Sequence, residues 1–330
     1  MNTIYTETMK ECIRCGKCTI NCDFLRKYGL MHSLKDLNRL RELSFHCFMC
    51  GECERYCPKG INGKIITQAI RIEQAEKNTG MPAINGYEKL IEEKADYLYK
   101  NYQHANNHTV LFMGCNFPAY YPESAKRLSR LFREKYGIGT VYECCGKPVM
   151  ELGAQRLAQK SIEAIQDRMH KMNVKELVMV CPNCYMYLKD RLDIRMVSIF
   201  EKFTELGIGE VSEGSKMYVF QPCPDRAEGE WLRYIRKFLK DRIEIIEGVQ
   251  CCGLGGCAKT QEPEIAQGFA ERIIQKNYPV IYTYCASCAG NLSRNGCRNV
   301  RHLIFEILGL CEEKPDIYNN GRNRKESKFW

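Results

Sequence analysis

The chain has 330 residues and 45% hydrophobic content, enough for two or three domains with ordinary cores. Its formal charge of +9 is scattered through helix-patterned stretches such as "SAKRLSRLFREKYG" and "EWLRYIRKFLKDR", which is the pattern of a solvated helix face and argues against a nucleic-acid footprint. The 21 cysteines are far more than packing requires in a chain too long to need disulfides for want of core, so they point to metal or redox chemistry in a reducing compartment.

The opening "MNTIYTETMK" lacks a basic region followed by an apolar one, and no apolar run reaches the ~18 residues of a membrane span. A cytoplasmic protein that meets a membrane only through a partner is expected. The first 60 residues then carry eight cysteines in two blocks, "CIRCGKCTINC" and "CFMCGECERYCP". Both have the C-x2-C-x2-C-x3-C spacing of bacterial two-cluster ferredoxins, in which the fourth cysteine of each block ligates the other cluster. That rule assigns Cys12, Cys15, Cys18 and Cys57 to one 4Fe-4S cubane and Cys47, Cys50, Cys53 and Cys22 to a second. Zinc sites use two separated C-x2-C knuckles and have no need of this spacing. Two bound cubanes, each about −2 with its thiolates, would lower the net charge to about +5.

Between the blocks, "DFLRKYGLMHSLKDLNRLRELSFH" reads as mostly helical, with Leu34, Leu37, Leu40 and Leu43 on one apolar face. "INGKIITQAIRIEQAEKN" and "YEKLIEEKADYLYKNY" read as two further amphipathic helices, separated by the loop "TGMPAING". The first 105 residues are therefore expected to be an all-α domain holding both cubanes.

From Thr109 short apolar strands alternate with helices. "TVLFMGC", a helix over 122–136, "TVYECC", a helix over about 154–171 and "KELVMVCPNC" form a βαβαβ succession. From Lys216 the order recurs in "KMYVFQPC", a helix over about 230–240, "RIEIIEGVQCC", a helix over about 264–276 and "PVIYTYCASC". The cysteines repeat in register: Cys115, Cys144, Cys145, Cys181 and Cys184 correspond to Cys223, Cys251, Cys252, Cys285 and Cys288, with offsets of 104 to 108 residues. Each of them falls at a predicted strand end, the edge where α/β sheets bind ligands. Two Rossmann-like repeats related by a pseudo-twofold axis are expected, over 106–212 and 213–312, with a polar basic tail over 313–330. Five converging thiols exceed the four that a cubane accepts, so each set calls for an unusual iron-sulfur centre.

On these residues the chain resembles the cysteine-rich iron-sulfur family whose domain is named for its Cys-Cys-Gly (CCG) motif, and within it the heterodisulfide reductases. The two N-terminal blocks resemble that enzyme's small helical ferredoxin subunit, and residues 109–311 resemble its catalytic subunit. The two are fused here in one chain, as in the membrane-linked type of the enzyme. The resemblance implies that each five-cysteine set holds a noncubane 4Fe-4S cluster, and that the pair of clusters reduces a small-molecule disulfide to two thiols. It also implies a redox partner protein, either a membrane cytochrome or a flavoprotein. Related proteins instead relay electrons from a glycolate, lactate or glycerol-3-phosphate flavin dehydrogenase to a quinone or cytochrome, which is the alternative. The chain departs from the family around Cys223, where "VFQPCPDR" stands in place of a histidine-flanked cysteine.

Weaker signals read as structural. "GLGGCA" after a strand has the letters of a dinucleotide turn, but the next strand tip carries cysteines rather than an acid, so its glycines are expected to serve close backbone approach. Cys257, Cys297 and Cys311 read as buried structural thiols, Lys147 and Lys259 as surface lysines, and His302 as a core histidine on an apolar helix. The tail "NNGRNRKESKFW" reads as disordered or partner-bound.

Overall fold

A computed structural model describes residues 4–210, 214–310 and 313–330. The boundaries expected at 212/213 and 312/313, and Cys311, lie outside the described residues. The protein is a mixed α/β structure with a helical N-terminal region and two mainly parallel sheets.

The N-terminal region is built of short helices around the cysteine blocks, then Gly63–Lys77 and Glu88–Ala95. The segment between the blocks is less helical than its leucine spacing suggests. Gly29 at φ 65 closes the helix Asp23–Tyr28, and helix resumes only with the turn Leu34–Asp36 and the helix Leu37–Glu42. Leu40 and Leu43 are buried, whereas Leu34 is 41% exposed. The predicted third helix also stops early, at Ala95, and the chain runs into an unforeseen edge strand.

That strand is β1 (Asn101–His104), followed by β2 (His108–Phe112), β3 (Gly139–Tyr142), β4 (Val174–Met179) and β5 (Arg195–Ser198). They form a sheet in the order β1-β3-β2-β4-β5, with β1 antiparallel to β3 and the other pairs parallel. The second sheet, β6 (Met217–Val219), β7 (Ile243–Ile245), β8 (Ile281–Thr283) and β9 (Val300–His302), is all parallel in the order β7-β6-β8-β9. Residues 110–112 and 177–179 are fully buried, as parallel strands covered on both faces require. Each sheet has a parallel strand, β5 or β9, beyond the three expected; both are too short and mixed to stand out by alternation.

The tail is ordered, contrary to expectation. Its helix Asn320–Glu326 lies against Phe117–Tyr120, where Asn323 Nδ2 donates to Ala119 O at 3.0 Å. Asn101 Nδ2 donates to Ser327 O at 3.0 Å and Trp330 O at 2.7 Å, and the Trp330 ring packs edge-on against Tyr142. Polar composition misled here because the docking is made by side-chain amides to carbonyls, which carry no apolar signal.

Two buried polar clamps hold the helical region onto the sheets. Arg71, fully buried on Gly63–Lys77, donates to Ser44 O (2.8 Å), Cys47 O (3.0 Å), Glu151 O (2.6 Å) and Gly256 O (2.8 Å). One guanidinium thus joins the second cysteine block to the loops beyond both Cys-Cys pairs. The Glu262 carboxylate, from the second repeat, accepts from Lys27 Nζ (2.6 Å) and Tyr28 OH (2.7 Å) and lies 2.7 Å from His46 Nδ1. Arg71→Met strips four buried carbonyls of their donor, at about 1–3 kcal/mol each and not additively. We expect a loss of at least about 3 kcal/mol in denaturant unfolding, with Arg41→Met, a partly exposed control, losing far less.

Candidate metal centres

The two N-terminal blocks share one backbone device. Arg14 and Met49 have φ 55 and 51, and Gly16 and Gly51, two residues on, have φ 75 and 79. These left-handed positions curl each loop inward around its thiols and turn amide hydrogens toward them, as in Met49 N to Cys47 Sγ at 3.4 Å. Cys12, Cys15, Cys18 and Cys57 line a single pocket with Ile13, His32 and Ile61. Cys22 lies elsewhere, beside Cys50 and Cys47, and Cys53 lies among Cys22, Cys47 and Cys50. Burial and these neighbouring thiols drive the pKa values of Cys22 and Cys53 well up.

In the sheets, all ten remaining cysteines of the repeated sets lie beyond the carboxyl ends of the parallel strands. Cys115 follows β2, Cys144 and Cys145 follow β3, and Cys181 follows β4, with Cys184 in the first turn of Pro182–Leu188. Cys223 follows β6, Cys285 follows β8, and Cys288 lies in Ala286–Arg294. β7 ends at Ile245, so Cys251 and Cys252 arrive on a loop rather than at the strand tip expected.

The thiols form a continuous ribbon. Contacts run from Cys115 to Cys144, Cys145, Cys184 and Cys181, cross to Cys285, and continue through Cys288, Cys252 and Cys251 to Cys50 of the second N-terminal block. Cys181 and Cys285, equivalent positions of the two repeats, meet where the sets join. Cys223 sits to the side, close to Cys50 and Cys285. Hydrogen bonds from Cys251 and Cys288 pull the Cys252 thiol down to about 5, whereas burial pushes Cys223 up to about 11.

Among the described residues, no three His, Cys, Asp or Glu side chains converge on a point where one ion would sit. A cluster of several irons makes a different demand, with each thiolate on its own iron around a cage. Buried sulfurs carrying amide donors suit that demand: Gly253 N lies 3.3 Å from Cys251 Sγ, and backbone amides of Lys147, Cys184 and Cys288 serve Cys145, Cys181 and Cys285. The donor set is all thiolate, which fits iron-sulfur clusters.

The surroundings hold residues that the sequence did not single out. Gln250 bridges the second block and the second repeat: its Oε1 accepts from Asp23 N at 2.7 Å, and its Nε2 lies 3.5 Å from Cys50 Sγ and 3.8 Å from Cys22 Sγ. Arg226, next to Cys223 and Cys251, is buried and paired with Glu52 at 3.3 Å. Their one sequence signal is adjacency to cysteines. Lys147 is not the surface lysine expected; it is largely buried, paired with Glu151 and close to Cys223 and Cys145. Lys259 is half-buried on Asn295 Oδ1 at 3.2 Å. His302 is fully buried, but as the last residue of β9 rather than on a helix, and its Nδ1 caps the next helix through Ile304 N. Cys297 is buried and Cys257 partly so.

The glycines of "GLGGCA" admit close backbone, though it is not cluster but chain: a Cβ on Gly256 would stand 2.3 Å from Cys47 O, and one on Gly255 2.5 Å from Phe48 O. Gly256→Ala should therefore displace the second block, seen as iron lost from the cubane that depends on Cys47. Gln250→Glu should disturb that same cubane's paramagnetic signal and leave the one built on Cys12 unchanged.

Comparison with known proteins adds to this geometry. The family model for a 4Fe-4S dicluster domain matches residues 8–61, and that for the cysteine-rich domain matches 109–189 and 217–293. The chain is 23% identical to an iron-sulfur relative from Methanothermobacter marburgensis, one of the subunits of its CoM/CoB fumarate reductase, over 92% of this chain and 73% of that one. It is 24% identical to one of the subunits of the dihydromethanophenazine:CoB–CoM heterodisulfide reductase of Methanosarcina barkeri, covering 92% and 94%, with the same figures for the Methanosarcina mazei protein of that name. Among solved structures, an aspartate racemase from Picrophilus torridus aligns at 9% identity over 67% of this chain and 100% of its own, with a TM-score of 0.33, too low to bear on the fold. The chain belongs to the iron-sulfur proteins that join a 4Fe-4S dicluster domain to paired cysteine-rich (CCG) domains, the family that includes heterodisulfide reductase subunits.

Proposed function

We propose that this chain is an iron-sulfur oxidoreductase of heterodisulfide reductase type, which takes single electrons at its helical N-terminal region and uses them to reduce a small-molecule disulfide to two thiols. The observation that carries this reading is the ribbon of thiols, which joins the second N-terminal block to both five-cysteine sets without a gap. On this reading Cys12, Cys15, Cys18 and Cys57 hold one cubane, and Cys47, Cys50, Cys53 and Cys22 the other. The two five-cysteine sets hold a noncubane cluster each, in two Rossmann-like repeats about a pseudo-twofold axis at Cys181 and Cys285. The clusters, when bound, supply one-electron storage, and the disulfide consumes two electrons and two protons in giving two thiols.

The chain's own residues set the route. Cys15 is exposed, and around it Arg14, Lys17, Arg55 and Lys59 are exposed with Ile13 and Tyr56. A basic rim around an apolar centre suits a redox partner with an acidic face, and the relatives named above are themselves parts of larger enzymes. From there Gln250, Arg226 and Cys251 lead from the second block into the second repeat, which adjoins the first at Cys285 and Cys181. Among the described residues no helix is long and apolar enough to cross a membrane.

Anaerobically purified protein should carry about sixteen irons and as many labile sulfides per chain; about eight would leave the cubanes alone, and zinc in place of iron would overturn the reading. Cys145→Ala and Cys252→Ala should each abolish dye-linked reduction of low-molecular-weight disulfides while both cubanes remain reducible. If the unaltered protein reduces no disulfide but carries electrons rapidly from a flavin dehydrogenase to a quinone analogue, it is a relay and not a reductase.

A further inference from the structure

Behind Cys115 and Cys144 lies a group of buried donors drawn from outside both cysteine-rich segments. Tyr97 is 2% exposed, packs against both cysteines, and its hydroxyl has no hydrogen-bond partner. Lys94, also buried, holds its Nζ 4.7 Å from the centre of the Tyr97 ring. Its carboxylate neighbour, Glu93 Oε1 at 2.7 Å, is out of line for a hydrogen bond and is shared with Arg324 Nε at 3.2 Å. Arg324 comes from the C-terminal helix and reaches Asn116 Oδ1, beside Cys115, at 3.4 Å. The other buried acid nearby, Glu143, is matched by Arg168 at 3.2 Å and accepts from Cys144 N at 2.9 Å.

Two cations therefore share one carboxylate, and a phenol hydroxyl is left over, all facing the sulfurs of the first set. Burying an unpaired hydroxyl and an excess positive charge is costly unless an acceptor of opposite sign fills the space. We infer that Lys94, Tyr97 and Arg324 form a positively charged donor shell for the centre held by the first cysteine set, and that this shell raises its reduction potential. The inference rests on the reading that this set holds a cluster. Reduction adds negative charge, and fixed cations and hydrogen bonds to sulfur stabilise the reduced form. The three are positioning residues, and the C-terminal helix is part of the first centre although it lies some 140 residues beyond its last cysteine.

The test is a redox titration of the full chain, following the paramagnetic signal that is lost in Cys145→Ala. Arg324→Gln should move its midpoint negative by about 59 mV, a tenfold change in equilibrium constant for one electron. Tyr97→Phe, which removes one oxygen, should move it the same way by less. Arg324→Lys should stay near the parent, and the signal lost in Cys252→Ala should hold still throughout. Unchanged midpoints in Arg324→Gln and Tyr97→Phe at full iron content, or equal shifts at both centres, would overturn the inference. If Arg324→Gln loses iron, Tyr97→Phe alone decides, by its shift or its lack of one. Absence of any signal depending on Cys145 in the parent would overturn the reading of the first set and this inference together.

Discussion

The arrangement depends on one buried cation. Arg71 has no carboxylate partner among its hydrogen bonds; it spends its donors on main-chain oxygens from three separated parts of the chain. Carbonyl acceptors fix a guanidinium by direction rather than by net charge, so the join is specific in angle as well as distance. Because the acceptors flank Cys47, Cys145 and Cys252 in sequence, the same bonds that dock the helical region also set the spacing of the thiols. Glycine makes this possible: Gly153, at φ 91, would put a Cβ 2.4 Å from Arg71 O. Side chains at the seam would hold the two regions apart.

The electrostatics of the site follow from that closeness. Ten adjoining sulfurs in a dry interior cannot all be ionised without compensation, and their thiol pKa values are driven in opposite directions along the ribbon, Cys145 and Cys285 down and their neighbours up. Protons in the unloaded chain are thus shared among neighbours, and cluster binding must release them. Positive charge is supplied locally, by Arg226 and Lys147 near the second set and by Lys94 and Arg324 near the first.

Much of this was legible in the cysteine spacing alone, because a repeated ligand pattern carries both topology and chemistry. The recurrence of five positions located the carboxyl edge of both sheets, and the x3 step before Cys22 and Cys57 separated each from its own block. What escaped was of another kind. β1, β5 and β9 are three to four residues long and held by neighbours rather than by their own alternation. Arg71 and Gln250 look like ordinary helix and loop residues until a second region is placed against them. The tail looked disordered because its docking uses asparagine amides, and Lys147 looked like a surface lysine because nothing local announces its burial.

The ribbon also constrains how the protein is made. Cys50 and Cys251 meet beneath the seam that Arg71 and Glu262 close, so the centres between them are sealed once the N-terminal region is seated. A chain that closed empty would hold a row of neighbouring thiols, each within reach of disulfide exchange with the next, and oxidation would lock it in that state. Maturation therefore has a required order: iron and sulfide are loaded while the two regions are still apart, and docking comes last.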